Sequence, residues 1–183
     1  MAAEHLFLTG KIQIGKSTLI RRLLEEYSGS VSGFKTISLP VKTKSKSDVY
    51  ILPPFGGPED CRETNRIIHR DYLGQKSPKV FSEVFENEGC ALLKNREEAD
   101  LLLMDEIGIM EANAPAFQAE LRRCVEGTLP ILGVVRSKPH PFLDWIRSRP
   151  NVRVVEITEE NRDLIFEELL EWMENRKSCR AKK

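Results

Sequence analysis

The sequence has no excess of either charge: Lys+Arg and Asp+Glu both number 28. A chain balanced in this way offers no bulk attraction to nucleic acid or to an anionic membrane, and neither partner is expected. Long apolar runs are missing as well, and none approaches the roughly 18 residues that a membrane-spanning helix needs. Cysteine is sparse, with Cys61, Cys90, Cys124 and Cys179 far apart and no CxxC pair. That spacing argues against a zinc site or a disulfide framework, and reduced thiols are the simplest account. The first strand-like run begins by about residue 5, which leaves no room for a signal peptide. Together these absences point to the cytoplasm. No internal repeat or low-complexity segment is visible.

At 183 residues, 40% hydrophobic and 31% charged, the chain suits one globular domain with a full core. Short, nearly unbroken apolar runs (Leu6–Leu8, Leu101–Met104, Ile131–Val135, Val152–Ile157) suit strands buried on both faces. Between them lie helical patterns. Leu19, Ile20, Leu23, Leu24 and Tyr27 share one face, and Pro115–Glu126 opens on a proline suited to a first turn. A last helix from about Glu159 to Asn175 gathers Ile165, Leu169, Trp172 and Met173. Strand–helix alternation with short links predicts an α/β fold, a mostly parallel sheet with helices on both faces.

The single domain, 1–183, carries a less regular insertion at about 41–79 and a basic tail over 176–183, where a frayed, solvated end is the plain reading. Gly33–Ser38, before this stretch, and Val49–Leu52, within it, read as strands of a hairpin with KTKSKSD at its polar tip. A helix is expected over Glu63–Tyr72.

Gly10-Lys11-Ile12-Gln13-Ile14-Gly15-Lys16-Ser17 matches GxxxxGK[ST]. The first glycine lets the chain leave the strand sharply, and the second lets backbone N–H groups approach phosphate oxygens. The helix behind them points free N–H groups and a positive dipole end at the same anion. Lys16 is expected to reach the β- and γ-phosphates of a nucleoside triphosphate, and Ser17 to bind Mg²⁺ through its hydroxyl. At this chain's own composition only about 0.005 chance matches arise over its whole length. The context fits too, since the string follows an apolar strand and opens an amphipathic helix.

The second half is LLLMDEIG, a buried strand with Asp105 and Glu106 at its carboxyl end, where ligands bind in open α/β sheets. Asp105 suits the holding of Mg²⁺, and Glu106 suits a base acting on the attacking water. Apolar–DE strings also serve helix caps and turns, so the P-loop upstream carries much of this reading.

With both halves in hand, the chain resembles the thermophilic-type nucleoside-triphosphatase family, which includes the cancer-related NTPase of animals. The resemblance rests on HLFLTG and GKSTLI near the start, GF-K-T at Gly33–Thr36, MDEIGIME at Met104–Glu111, ILG at Ile131–Gly133, and VRVVEITEENRDLI near the end. It covers most of the chain but little of Val41–Lys79. It implies a RecA-like P-loop fold and slow NTP hydrolysis with little preference for base. It also implies phosphate and metal roles for Gly10, Gly15, Lys16, Ser17 and Thr18, a metal carboxylate in Asp105 and a base in Glu106. Gln13 departs from the family, where many members have glycine, and its side chain faces the phosphate region.

Other candidates carry two readings each. Asn161 and Arg162 follow the last strand, where a nucleobase would meet an amide and a guanidinium; alternatively both belong to a helix start capped by Thr158. Arg62, Arg66 and Arg70 fall on one helical stripe, facing phosphate or, with acids close by, forming a solvated and paired face. Arg136 and Lys138 should open on the γ-phosphate side, His140 reads as a loop residue, and Glu111 has no derivable role. Two rivals share the P-loop: a nucleotide or small-molecule kinase, with KTKSKSD and the arginine stripe as its only lid candidates, and a non-catalytic binding module or GTPase-like switch. The absence of an NKxD string weakens the switch.

Overall fold

The computed structural model describes residues 5–41, 43–74 and 77–177. Its strands are β1 (His5–Thr9), β2 (Val31–Val41), β3 (Thr43–Leu52), β4 (Arg66–Asp71), β5 (Lys79–Val80), β6 (Leu101–Ile107), β7 (Ile131–Val135) and β8 (Val152–Glu156). They form one sheet in the order β5-β4-β3-β2-β6-β7-β1-β8. From β2 through β8 the neighbours are parallel, and β3, β4 and β5 extend the sheet antiparallel from β2. The helices are α1 (Lys16–Glu26), α2 (Ser82–Val84), α3 (Cys90–Lys94), α4 (Pro115–Glu126), α5 (Pro141–Arg147) and α6 (Ile165–Lys177), with a π turn at Phe85–Gly89 between α2 and α3.

The period of two along each strand splits the core into two layers. Leu6 and Leu8 of β1 join Leu19 and Leu23 of α1 and Leu169 of α6 on one face. Phe7 points the other way, into a cluster with Phe34, Leu102, Phe117 and Leu121. Each such side chain, fully buried, contributes about 1.5–3 kcal/mol. The helices thus cover both faces, as the apolar runs predict. Among the described residues no helix is long and apolar enough to cross a membrane.

Three expectations need correction. Among the described residues β8 is a sheet edge, paired with β1 alone, so Val154 is 36% exposed and the run is not buried on both faces. The stretch at about 41–79 is less irregular than expected: Thr43–Leu52, Arg66–Asp71 and Lys79–Val80 are strands that extend the sheet antiparallel, with turns and loop over 53–65. The hairpin is there, yet most of KTKSKSD lies within β3, at register with β2 and β4. The helix over Glu63–Tyr72 is a short 3₁₀ turn at Glu63–Asn65 followed by β4. A spacing of four places Arg66 and Arg70 on one side of a strand as well as of a helix, and the β-branched pair Ile67-Ile68 packs into the core from the strand.

The last helix starts at Ile165 rather than near Glu159. Asn161 turns its side chain back onto Glu156 and Thr158 and closes a turn there. Cys61, Cys90 and Cys124 are free thiols, the last two buried, and burial pushes the Cys124 thiol up to about 11. Cys179 and positions 178–183 of the basic tail lie outside the described residues.

Candidate active site

β1 and β6 end on the same side of the sheet with β7 between them, and this brings the glycine-rich loop to the acid pair. At Gly10 φ is +133°, and a Cβ there would meet the carbonyl oxygen of Ile157 at 2.5 Å, so only glycine lets the chain leave β1 so close to the end of β8. Gly15 caps α1 in the left-handed region at φ +105°. Among the described residues no side chain caps α1, and no acid sits in its first turn, so the first N–H groups remain for an anion.

A cavity of about 440 Å³ opens above this loop. Gly10, Lys11, Ile12, Gln13, Gly15, Lys16, Ser17 and Thr18 line it, facing Asp105, Glu106, Arg136 and Lys138. Ile14 lends only backbone: its side chain is buried with the α1 core. Lys16 Nζ donates to the carbonyls of Gly10 at 3.0 Å and Lys11 at 2.7 Å, which holds the ammonium across the loop. Burial lowers its pKa, against the pull of Glu106.

Gln13 stands at φ 65°. For a residue with a Cβ this conformation costs roughly 1–2 kcal/mol, which explains in physical terms why glycine suits the position. Glu106 has the same peculiarity, φ 68°, where the β6–β7 register slips between Met104 and Ile107. A non-glycine residue held there stores about 1–3 kcal/mol, and such outliers cluster at functional sites.

The two acids have different surroundings. Asp105 is only 6% exposed, and its carboxylate accepts from the backbone N–H of Thr36. Burial first, then the charge of Glu106, pushes its carboxyl up to about 7. Glu106 is more open and pairs with Arg136, whose Nε donates to Oε1 at 2.9 Å and whose Nη2 donates to the same oxygen. Oε2 stays open among the described residues. Ser17 and Asp105 are hard oxygen donors lining one cavity, which suits a Mg²⁺ that completes its shell from phosphate and water. The raised carboxyl of Asp105 fits too, because a nearby dication would favour its ionised form.

Glu111, for which sequence reasoning finds no role, is 5% exposed and accepts from the N–H of Gly108 at 3.2 Å. It ties down the turn that follows Glu106. Asn161 and Arg162 do not line the cavity. The Asn161 Oδ1 accepts from the Thr158 N–H and its Nδ2 donates to the Glu156 carbonyl, each at 2.8 Å. Arg162 lies over the loop, its Cδ 3.9 Å from where a Gly15 Cβ would stand.

The arginine stripe is not one surface. Arg62 donates to the carbonyls of Glu59 and Cys61, Arg66 pairs with Asp48, and Arg70 lines a different cavity. His140 is the N-cap of α5 and accepts from Phe142 N–H at 3.3 Å. Sequence reasoning misses Ser137, which lines the cavity above the glycine-rich loop, and Thr36, which holds Asp105 by its backbone. Ser137 offers no signal beyond its position two residues past β7, and a backbone N–H offers none.

A family profile described as NTPase matches residues 5–170. The chain is 29% identical over 180 residues to the nucleoside-triphosphatase THEP1 of Natranaerobius thermophilus, covering 95% of this chain and 98% of the relative. It is 30% identical over 190 residues to the cancer-related nucleoside-triphosphatase of Homo sapiens, covering 92% and 95% respectively. Its fold is similar to the crystal structure of THEP1 from Aquifex aeolicus, with TM-score 0.70, 22% identity and coverage of 93% of this chain and 99% of that one.

Proposed function

The chain belongs to the NTPase family, and on that premise we propose that it hydrolyses the γ-phosphate of nucleoside triphosphates with Mg²⁺ and little preference among bases. The observation that carries the reading is the meeting of Lys16, Ser17, Asp105 and Glu106 around one cavity at the carboxyl ends of β1 and β6. Lys16 and the uncapped start of α1 bind the β- and γ-phosphates. Ser17 and Asp105 would hold Mg²⁺, which when bound supplies positive charge to the phosphate oxygens. Glu106 receives the proton of the attacking water on Oε2, while Arg136 fixes the carboxylate through Oε1. The water oxygen bonds to the γ-phosphorus, the bridge to the β-phosphate breaks, and nucleoside diphosphate and phosphate leave.

The strain stored at Glu106 supports this assignment, because it holds a carboxylate in one orientation before substrate arrives. Low base preference is supported by the surroundings of Asn161, whose amide is already committed to Thr158 and Glu156. A strong preference would require buried polar groups that the wrong base leaves unpaired. The free thiols suit a reducing cytoplasm, and we place the whole activity in a single P-loop domain. Phosphate release from ATP, GTP, CTP and UTP, with Mg²⁺ and with chelator, tests the reading. Mg²⁺-dependent release with the purine substrates within about tenfold of each other is expected, and Lys16→Ala should lose it. Release that is equal with chelator, or unchanged in Lys16→Ala, would overturn it.

A further inference from the structure

On the far side of the Glu106–Arg136 pair lies a second cavity, of about 360 Å³, between the turn after β6 and the antiparallel half of the sheet. It shares Ser17, Glu106 and Arg136 with the phosphate cavity but none of the glycine-rich loop before Ser17. Its size falls in the range of small-molecule sites, about 300–1,000 Å³.

Arg70 is what gives this cavity its chemistry. The residue sits in β4 opposite Ser47, on the inner side of the strand with Ile68, and is half-buried. Arg62 and Arg66 both spend their guanidinium groups on carbonyls or carboxylates, whereas Arg70 makes no ion pair or side-chain hydrogen bond among the described residues. A guanidinium held half out of water in a concave site, without a counter-charge, favours an anion there. The acids that face it offer little opposition. Glu106 is neutralised by Arg136, and burial pushes the Glu111 carboxyl up to about 7. The lining also carries Ser38 on β2, two strands from Arg70, and Ile67, Phe85 and Met110, an apolar surface for a carbon skeleton.

We propose that this cavity is a second ligand site, which takes a small phosphomonoester with its phosphate on Arg70 and its carbon body against Phe85 and Met110. A planar guanidinium fork matches two phosphate oxygens, and an ester with an apolar body uses both halves of the lining. The site needs the hydrolytic reading only for its position beside the γ-phosphate, not for its own affinity.

Phenyl phosphate is the probe, titrated by calorimetry into the Lys16→Ala protein, so that the glycine-rich loop does not capture the phosphate. Saturable binding below about 10 mM is expected, at least about tenfold weaker when Arg70→Gln is added. No saturation at that concentration, or equal affinity with and without Arg70, overturns the proposal. Backbone amide shifts in the wild-type protein provide a check that needs no Arg70 variant. Shifts at Ser38, Ile68 and Arg70 support the site, and shifts confined to residues 10–18 overturn it. Phosphate release from ATP by the same wild-type preparation reports on the hydrolytic reading separately.

Discussion

Without metal, the protein should lose stability as pH rises from about 5.5 to 8, and Asp105→Asn should remove about half of that loss. Two buried carboxyls cause it. Asp105 is pushed up from 3.8 to about 7, by burial first and then by Glu106, and Glu111 from 4.5 to about 7 by burial. A carboxyl raised in the folded state binds its proton more tightly there than in the unfolded chain. Its contribution is therefore complete below the unfolded pKa and is lost as pH climbs through the folded one. Across this window the unfolded chain has both groups ionised, so each forfeits up to about 1.4 kcal/mol per pH unit until it ionises in the fold. That amounts to about 2 kcal/mol per group between pH 5.5 and 8. For 183 residues, 2 kcal/mol corresponds to about 4–8 °C in Tm. The amide of Asp105→Asn keeps an acceptor for the Thr36 N–H but carries no charge to desolvate. The variant should therefore be more stable than the wild type near pH 8 while losing its grip on Mg²⁺. Urea unfolding in chelator at several pH values measures both slopes. Identical slopes for the two proteins, or wild-type stability that rises across the window, would show that these carboxyls do not set the pH dependence.

Gln13→Gly relieves a left-handed residue and should stabilise the fold by up to about 1 kcal/mol, the strain relief being partly offset by the greater backbone freedom of glycine when unfolded. Denaturant midpoints check this, and a loss of more than about 1 kcal/mol would mean that the side chain makes a contact worth more than the strain. Asn161→Ala removes the two side-chain bonds of Asn161 in the β8–α6 turn but keeps its backbone bonds, so KM should rise modestly for every NTP while kcat is nearly kept. Steady-state kinetics with ATP and GTP decide it, and a fall in kcat with KM unchanged would tie Asn161 to the bond broken.

The parts of the molecule legible in the sequence are those whose signals are local. The GxxxxGK[ST] string is contiguous, and its glycines are required by φ and by contact with Ile157. Four parallel strands and the helix Pro115–Glu126 appear where unbroken apolar runs or a repeat of about four set the period. Residues 63–72 fail because Arg62, Arg66 and Arg70 at spacings of four fit a strand as well as a helix, and only pairing with β3 separates them. The buried Glu111 and the backbone bond from Thr36 to Asp105 arise from tertiary closeness, which spacing along one chain does not encode. The strain at Glu106 is equally invisible, since it comes from a register slip against β7.

In the proposed hydrolysis Glu106 takes the proton of the attacking water, while other groups bind the triphosphate. Single-turnover release of γ-labelled phosphate from ATP by Glu106→Gln, with nucleotide affinity measured in parallel, tests it most directly. Unchanged affinity and release slowed by about 10²–10⁴-fold are expected, because the amide keeps the shape and loses the basicity. Release at the wild-type rate would contradict it.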